Sequence, residues 1–164
     1  MAEKLVLRSG RVAFMDIDGK CTRMTKFTTM SPNKNPKEYS RQYVDMATET
    51  TDVIGYAPSI DYNFDRHEGN IVHEKLATIA DDELLGSDTH VDIVTVDIHS
   101  TDEQKPAIKR TYAVIPGADN DGTEAMTYAG TFKAVSDLVK GTASSTDDWK
   151  TCTFTAATDT AATE

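Results

Sequence analysis

The sequence has no run of eighteen apolar residues, so no helix long and apolar enough to cross a membrane is expected. Its first ten residues hold no apolar stretch longer than Leu5-Val6-Leu7, too short for the apolar centre of a signal peptide. Folding in the cytoplasm is the expectation that follows. Cysteine is scarce too. Cys21 and Cys152 make no disulfide framework, and no histidines stand near them at zinc-finger spacing, so free thiols are expected. Basic residues are outnumbered, 17 Lys and Arg against 27 Asp and Glu, for a net charge of −10. Such a surface repels phosphates, which excludes a nucleic-acid binder of the usual basic kind. There is no glycine-rich phosphate loop and no nucleophilic serine elbow.

What is present suits one domain. The 164 residues are 38% hydrophobic, enough for a core of ordinary size. Residues 11–17 read as a strand, Asp18-Gly19 as a tight turn, and residues 22–30 as the partner strand. Ser31 to Pro36 contains two prolines and two asparagines and reads as a break. From there to Ile54 the chain carries tyrosines and charges with little apolar alternation. A segment this long without its own regular core is usually functional or disordered.

Ser59 to Asp65 alternates, with Ile60, Tyr62 and Phe64 on one side. Asn70 is an N-cap signal, and Val72, Leu76 and Ile79 share one face of the helix that follows, which ends near Asp81. Further strands are expected at residues 91–99, 107–116, 124–134 and 149–155, with a turn at Asp119 to Gly122 and a break at Lys140-Gly141. Residues 156–164 form a threonine–alanine stretch of low complexity, expected to be mobile. About seven strands and one helix that do not alternate predict a mainly β chain: an antiparallel sandwich or barrel with one flanking helix.

Several motifs bear on chemistry. Phe14-Met-Asp-Ile-Asp-Gly19 resembles the nucleophile motif of haloacid-dehalogenase-like phosphatases, in which the first aspartate attacks phosphorus and the second is the acid/base. That fold requires repeated strand–helix units, which are not predicted here, and Lys20 replaces the small hydroxyl residue the family prefers. A hairpin turn is the simpler reading. Asp119 to Glu124 hints at a calcium loop, but its glutamate comes too early and its flanks read as strands. His67, His73, His90 and His99 have no metal spacing and are expected on the surface or a helix face. Trp149 is expected in the core. No cofactor or metal is expected.

Longer segments carry more information. Thr22 to Asp45, then Thr51 to Asp65, the helix from Asn70 to Asp81, and the closing segments Gly130 to Lys133 and Trp149 to Phe154 resemble the major tail tube proteins of long-tailed bacteriophages. The likeness covers roughly residues 10–155. It implies a non-enzymatic structural subunit in the virion tail that assembles into stacked hexameric rings, forming a conduit for DNA ejection. It implies partners in copies of itself, the tape-measure protein, the tail terminator and baseplate or tail-tip proteins. DNA would transit without specific binding.

On this reading residues 1–155 are one tail-tube domain, and the segment about 31–56 is an assembly loop reaching neighbouring subunits. Asn35, Pro36, Glu38, Tyr39, Arg41, Gln42 and Tyr43 are its interface candidates, tyrosine and arginine being enriched at interfaces. Asp61, Asp92 and Asp97 are acidic candidates for a lumen that repels DNA. Two readings from other classes stand beside it: a monomeric carbohydrate- or receptor-binding β module, and a phosphatase built on Asp16 and Asp18.

Overall fold

The computed structural model describes residues 2–119 and 123–157. The expectations for a turn or calcium site at 119–124 and for a mobile tail fall largely outside these residues.

The architecture is mainly β with one helix, as expected. The described residues form eleven strands rather than seven. They are β1 (Arg11–Ile17), β2 (Lys20–Arg23), β3 (Phe27–Asn33), β4 (Pro36–Arg41), β5 (Thr50–Tyr56), β6 (Ser59–Asp65), β7 (His90–Asp97), β8 (Lys105–Pro116), β9 (Thr127–Ala134), β10 (Val139–Ser144) and β11 (Thr151–Ala156). The helix, α1 (Ile71–Asp81), lies between β6 and β7. Nine strands follow one another in the order β10-β11-β2-β1-β7-β8-β9-β6-β3, and β10 also pairs with β8. That extra pairing closes β10, β11, β2, β1, β7 and β8 into a six-stranded antiparallel barrel. The strands β9, β6 and β3 extend from β8 as an open sheet.

The sequence explains most of this directly. Asp18 and Gly19 form the two-residue turn between β1 and β2, both at positive φ (52° and 83°), where the Asp-Gly pair is favoured. Alternation along β6 sends Ile60, Tyr62 and Phe64 inward. Asn70 caps α1, its Oδ1 accepting from the backbone N–H groups of Val72 (3.2 Å) and His73 (3.3 Å). Val72, Leu76 and Ile79 are buried, as predicted, together with His73 and Ala77. Tyr128 of β9 donates to Asp81 at the other end of the helix (Oη to Oδ2, 3.1 Å).

Four expectations need correction. The strand predicted over 22–30 is two strands. The chain turns at Lys26 (φ 63°), so β2 stays with β1 while β3 pairs with β6. This is why Met24 and Phe27 show no common alternation. Second, Ser31-Pro32-Asn33 continues β3 rather than breaking it. Because β3 is the last strand of the sheet, the proline's missing N–H costs little there. Third, the segment after it is no irregular loop: β4 and β5 form an antiparallel hairpin from Pro36↔Tyr56 to Arg41↔Thr50. Fourth, Lys140-Gly141 lies inside β10. A Cβ on Gly141 would stand 2.2 Å from the Thr155 carbonyl oxygen and 2.8 Å from Cζ of Phe154, so the Phe154 ring occupies the space a side chain would need.

Two apolar clusters result. Inside the barrel, Phe14, Val94, Val96, Ala107, Ala143 and Cys152 are buried, with Trp149 half-buried against them (6.2 Å between the Phe14 and Trp149 ring centroids). Between α1 and the sheet, Met15, Ile60, Tyr62, Phe64, Val72, Leu76, Ile79, Val91, Ile93, Val114, Tyr128 and Phe132 are buried. Fully burying one such aliphatic or aromatic side chain contributes roughly 1.5–3 kcal/mol. Strand β7 belongs to both: Val91 and Ile93 face the helix side, and Val94 and Val96 the barrel interior. Aromatic stacking runs along the second cluster, with Tyr62 on Phe132 (4.4 Å) and Phe64 on Tyr128 (5.5 Å).

His73 is wholly buried in that cluster, stacked on Phe64 at 4.4 Å. Its Nδ1 accepts from the backbone N–H of His67 (3.0 Å), and its Nε2 donates to the Thr25 carbonyl (2.8 Å). These partners require the neutral ring protonated at Nε2. Burial holds its pKa below the usual histidine value. An unfolded chain's histidine titrates near 6.5, so below that pH the unfolded state binds the extra proton first. Stability is therefore expected to be level above about pH 7 and to fall as pH drops through 6.5. Thermal melts from pH 8 to pH 5 test this: His73→Leu should melt lower at neutral pH but lose that part of the pH dependence.

Candidate functional site

The hairpin β4–β5 stands away from both cores. Every residue of β4 is exposed, and so is every residue of β5 except half-buried Gly55. Tyr39, Tyr43, Val44, Met46, Val53, Ile54 and Tyr56 are all large, apolar and exposed, Val44 fully and Tyr56 at 64%. A two-stranded hairpin is at best marginally stable in water on its own, and this one packs neither face against the domain.

Local hydrogen bonds hold its shape. At the root, Asn35 adopts positive φ (44°), and its Nδ2 donates to the Ala57 carbonyl and to Ser59 Oγ, both at 3.0 Å. Along the strands, Glu38 pairs with Val53, Tyr39 with Asp52 and Arg41 with Thr50. The Arg41 Nε–H donates to Tyr39 Oη (2.9 Å), with the guanidinium 5.6 Å from the ring centroid. At the tip, Gln42 Nε2 donates to the Met46 carbonyl (3.2 Å), and Met46 N–H to the Tyr43 carbonyl (3.0 Å).

The seven residues singled out from the sequence thus fall in one hairpin, with different parts to play. Asn35 is committed to its root, and Pro36 forms its first pair. Glu38, Tyr39 and Arg41 lie along β4, while Gln42 and Tyr43 shape the tip. Sequence reading missed Val44, Met46, Val53, Ile54 and Tyr56. The signal was there in large apolar residues without alternation, the pattern of a strand that faces no core.

The outer edge of β3 is paired with no strand among the described residues. Arg8 reaches it, Nη2 lying 3.5 Å from the Met30 carbonyl oxygen. One broad face of the open sheet is mostly polar. Ser59, Asp61 and Asn63 of β6 register with Lys133, Thr131 and Ala129 of β9, and Thr131 in turn with Ile115 of β8. Asp61 accepts from Thr131 Oγ1 (2.9 Å).

Of the three acidic candidates, Asp61 and Asp92 share this face. The register of β7 with β8 puts Asp92 opposite Thr111, whose hydroxyl donates to it, and Lys109 Nζ lies 3.8 Å away. Asp97 is an odd-numbered residue of β7 and points to the opposite face, where Arg11 Nε meets it at 3.1 Å. The three do not form one lining.

The phosphatase motif is built as a hairpin. Asp16 registers with Cys21 on the barrel side of β1, and Asp18 sits in the turn. A shallow polar depression lies beside them, lined by Asp16, Asp18, Lys75, His90 and Asp92. The parallel strand followed by a helix that the phosphatase chemistry requires does not occur at this position.

No protein-family model matches this sequence, and no curated protein matches it significantly. A solved structure does resemble it. A chain of the anti-feeding prophage (AFP) baseplate, seen by cryo-electron microscopy with sixfold symmetry imposed, shares the fold. The TM-score is 0.51 over 85% of this chain and 97% of that one, at 7% identity.

If Asp16 is only a strand residue, Asp16→Asn leaves the oligomeric state unchanged, and neither form turns over a generic phosphomonoester. Turnover by the native chain that vanishes in the variant would revive the enzyme reading.

Proposed function

We infer that the chain is a structural subunit of a phage-type tail, one that joins copies of itself through the β4–β5 hairpin. The observation that carries this reading is the hairpin itself: exposed on both faces and carrying Tyr39, Tyr43, Val44, Met46, Val53, Ile54 and Tyr56, it calls for a neighbouring surface that the described residues do not provide. The open edge of β3 is a second attachment point, since unpaired N–H and C=O groups take up another strand readily. A fold shared with a chain of a sixfold-symmetrised baseplate agrees with a ring-forming subunit.

In its fuller form the proposal follows the tail-tube resemblance. Hexameric rings stack into a tube around a tape-measure protein, capped by terminator and tail-tip proteins, and DNA later passes through the lumen in the virion tail. The polar sheet face bearing Asp61 and Asp92 is then the surface offered to the lumen, where negative charge keeps DNA sliding. Asp97, paired with Arg11 on the other face, has no part in it.

A second reading, a baseplate subunit of the same fold, is favoured by where the structural neighbour was found. The two part on assembly form. A tube subunit polymerises without a set length, whereas a baseplate subunit stops at a closed ring or waits for other proteins. A monomeric binding module would do neither.

Replacing residues 38–53 with an Asn-Gly turn tests the interface. The remaining domain should keep its stability within about 0.5 kcal/mol, because the hairpin packs on nothing. Its sedimentation should show monomer where the native chain forms larger species. Undiminished assembly would show that the interface lies elsewhere.

A further inference from the structure

The two cysteines, far apart in sequence, meet on neighbouring strands of the barrel. Strands β2 and β11 register Cys21 with Cys152 and Thr22 with Thr151, the shortest pairing in the barrel, prolonged by Arg23 N–H to the Lys150 carbonyl (3.0 Å). Residues paired in this way point to the same side, with Cα atoms about 4.5–5.5 Å apart. A disulfide spans about 4.4–6.8 Å between Cα atoms. Both thiols face the barrel interior, where Cys152 is buried among Phe14, Val94 and Ala143, and half-buried Cys21 packs against that cluster.

We propose that Cys21 and Cys152 are a modification site: an oxidisable pair that closes into an intramolecular disulfide and staples β2 to β11 across the barrel's shortest seam. Cys21 is the attacking sulfur because it is the more accessible of the two. The Cys152 S–H donates to it and holds its pKa below the usual thiol value, with Lys109 assisting against burial and the nearby Asp16 and Asp92. The same hydrogen bond and its own burial push Cys152 up, so Cys21 is the readier of the two to give up its proton.

A small disulfide such as oxidised glutathione supplies the oxidant. The Cys21 thiolate attacks one of its sulfurs, forming a mixed disulfide and expelling one glutathione thiolate. Cys152 then loses its proton to solvent and attacks the Cys21 sulfur, expelling the second glutathione. The protein loses two protons and two electrons, and two glutathione thiols are formed. Taken with the proposed tail role, the staple closes after the particle leaves a reducing cytoplasm, though the chemistry does not depend on that role.

The test uses the full chain, reduced, freed of reductant and incubated with oxidised glutathione. The expected product is monomeric and lighter by two hydrogens. It has no titratable thiol, yields a peptide joining residues 21 and 152, and reverts with dithiothreitol. Its melting temperature should rise by about 10 °C, since the crosslink closes a loop covering most of the chain. Cys152→Ser should stop at a glutathione adduct on Cys21. A lasting adduct on the native chain, a disulfide between two chains, or thiols that react only after unfolding would each overturn the proposal.

Discussion

Everything in this fold depends on the double pairing of β8. Its first residues, Lys105 to Lys109, pair with β10 and close the barrel. Its last, Tyr112 to Pro116, pair with β9 and begin the open sheet. Strand β7 runs along its other side from Ala107 to Ala113 and ties the two halves together. Barrel and sheet are one hydrogen-bonded system, so the barrel's outer wall is also the floor on which α1 packs. This is why Ile93 and Val94, neighbours in sequence, are both buried.

The same arrangement leaves surfaces unsatisfied. Barrel closure removes the edges of six strands but not the outer edge of β3. The helix covers one face of the open sheet, and the other carries Ser59, Asp61, Asn63, Thr131 and Lys133 together with Ala129 and Ile115. The hairpin leaves the domain at Asn35, where side-chain hydrogen bonds to Ala57 and Ser59 fix its departure. It is thus held at a defined place while its apolar surface stays free. Asymmetry of this kind, a closed barrel and sheet with one uncovered arm, suits the assembling subunit proposed above.

The parts of the fold legible in the sequence were those facing a core. β6 alternated because one of its faces is buried, α1 announced itself by its cap and apolar stripe, and Asp18-Gly19 marked its own turn. The parts that were illegible face no core or depend on distant chain. β4 and β5 show no alternation because both faces are exposed. β10 looked like a break because its inward residues are Gly141 and Ala143, and the partner that makes them small, Phe154, arrives later in the chain. Pro32 looked like a breaker because nothing local reveals that β3 is an edge. The interface candidates fall in one hairpin because they lie within residues 35–43, a stretch whose aromatic and charged residues have no periodicity. The acidic candidates divided between two faces because face depends on the parity of each strand, and parity on where the strand begins.

Electron microscopy of the concentrated native chain, negatively stained, is the most direct measure of the central claim that this domain is completed by copies of itself. The account predicts rings with a central hole, alone or stacked into hollow tubes. Particles that stay single domains at high concentration and over days would contradict it.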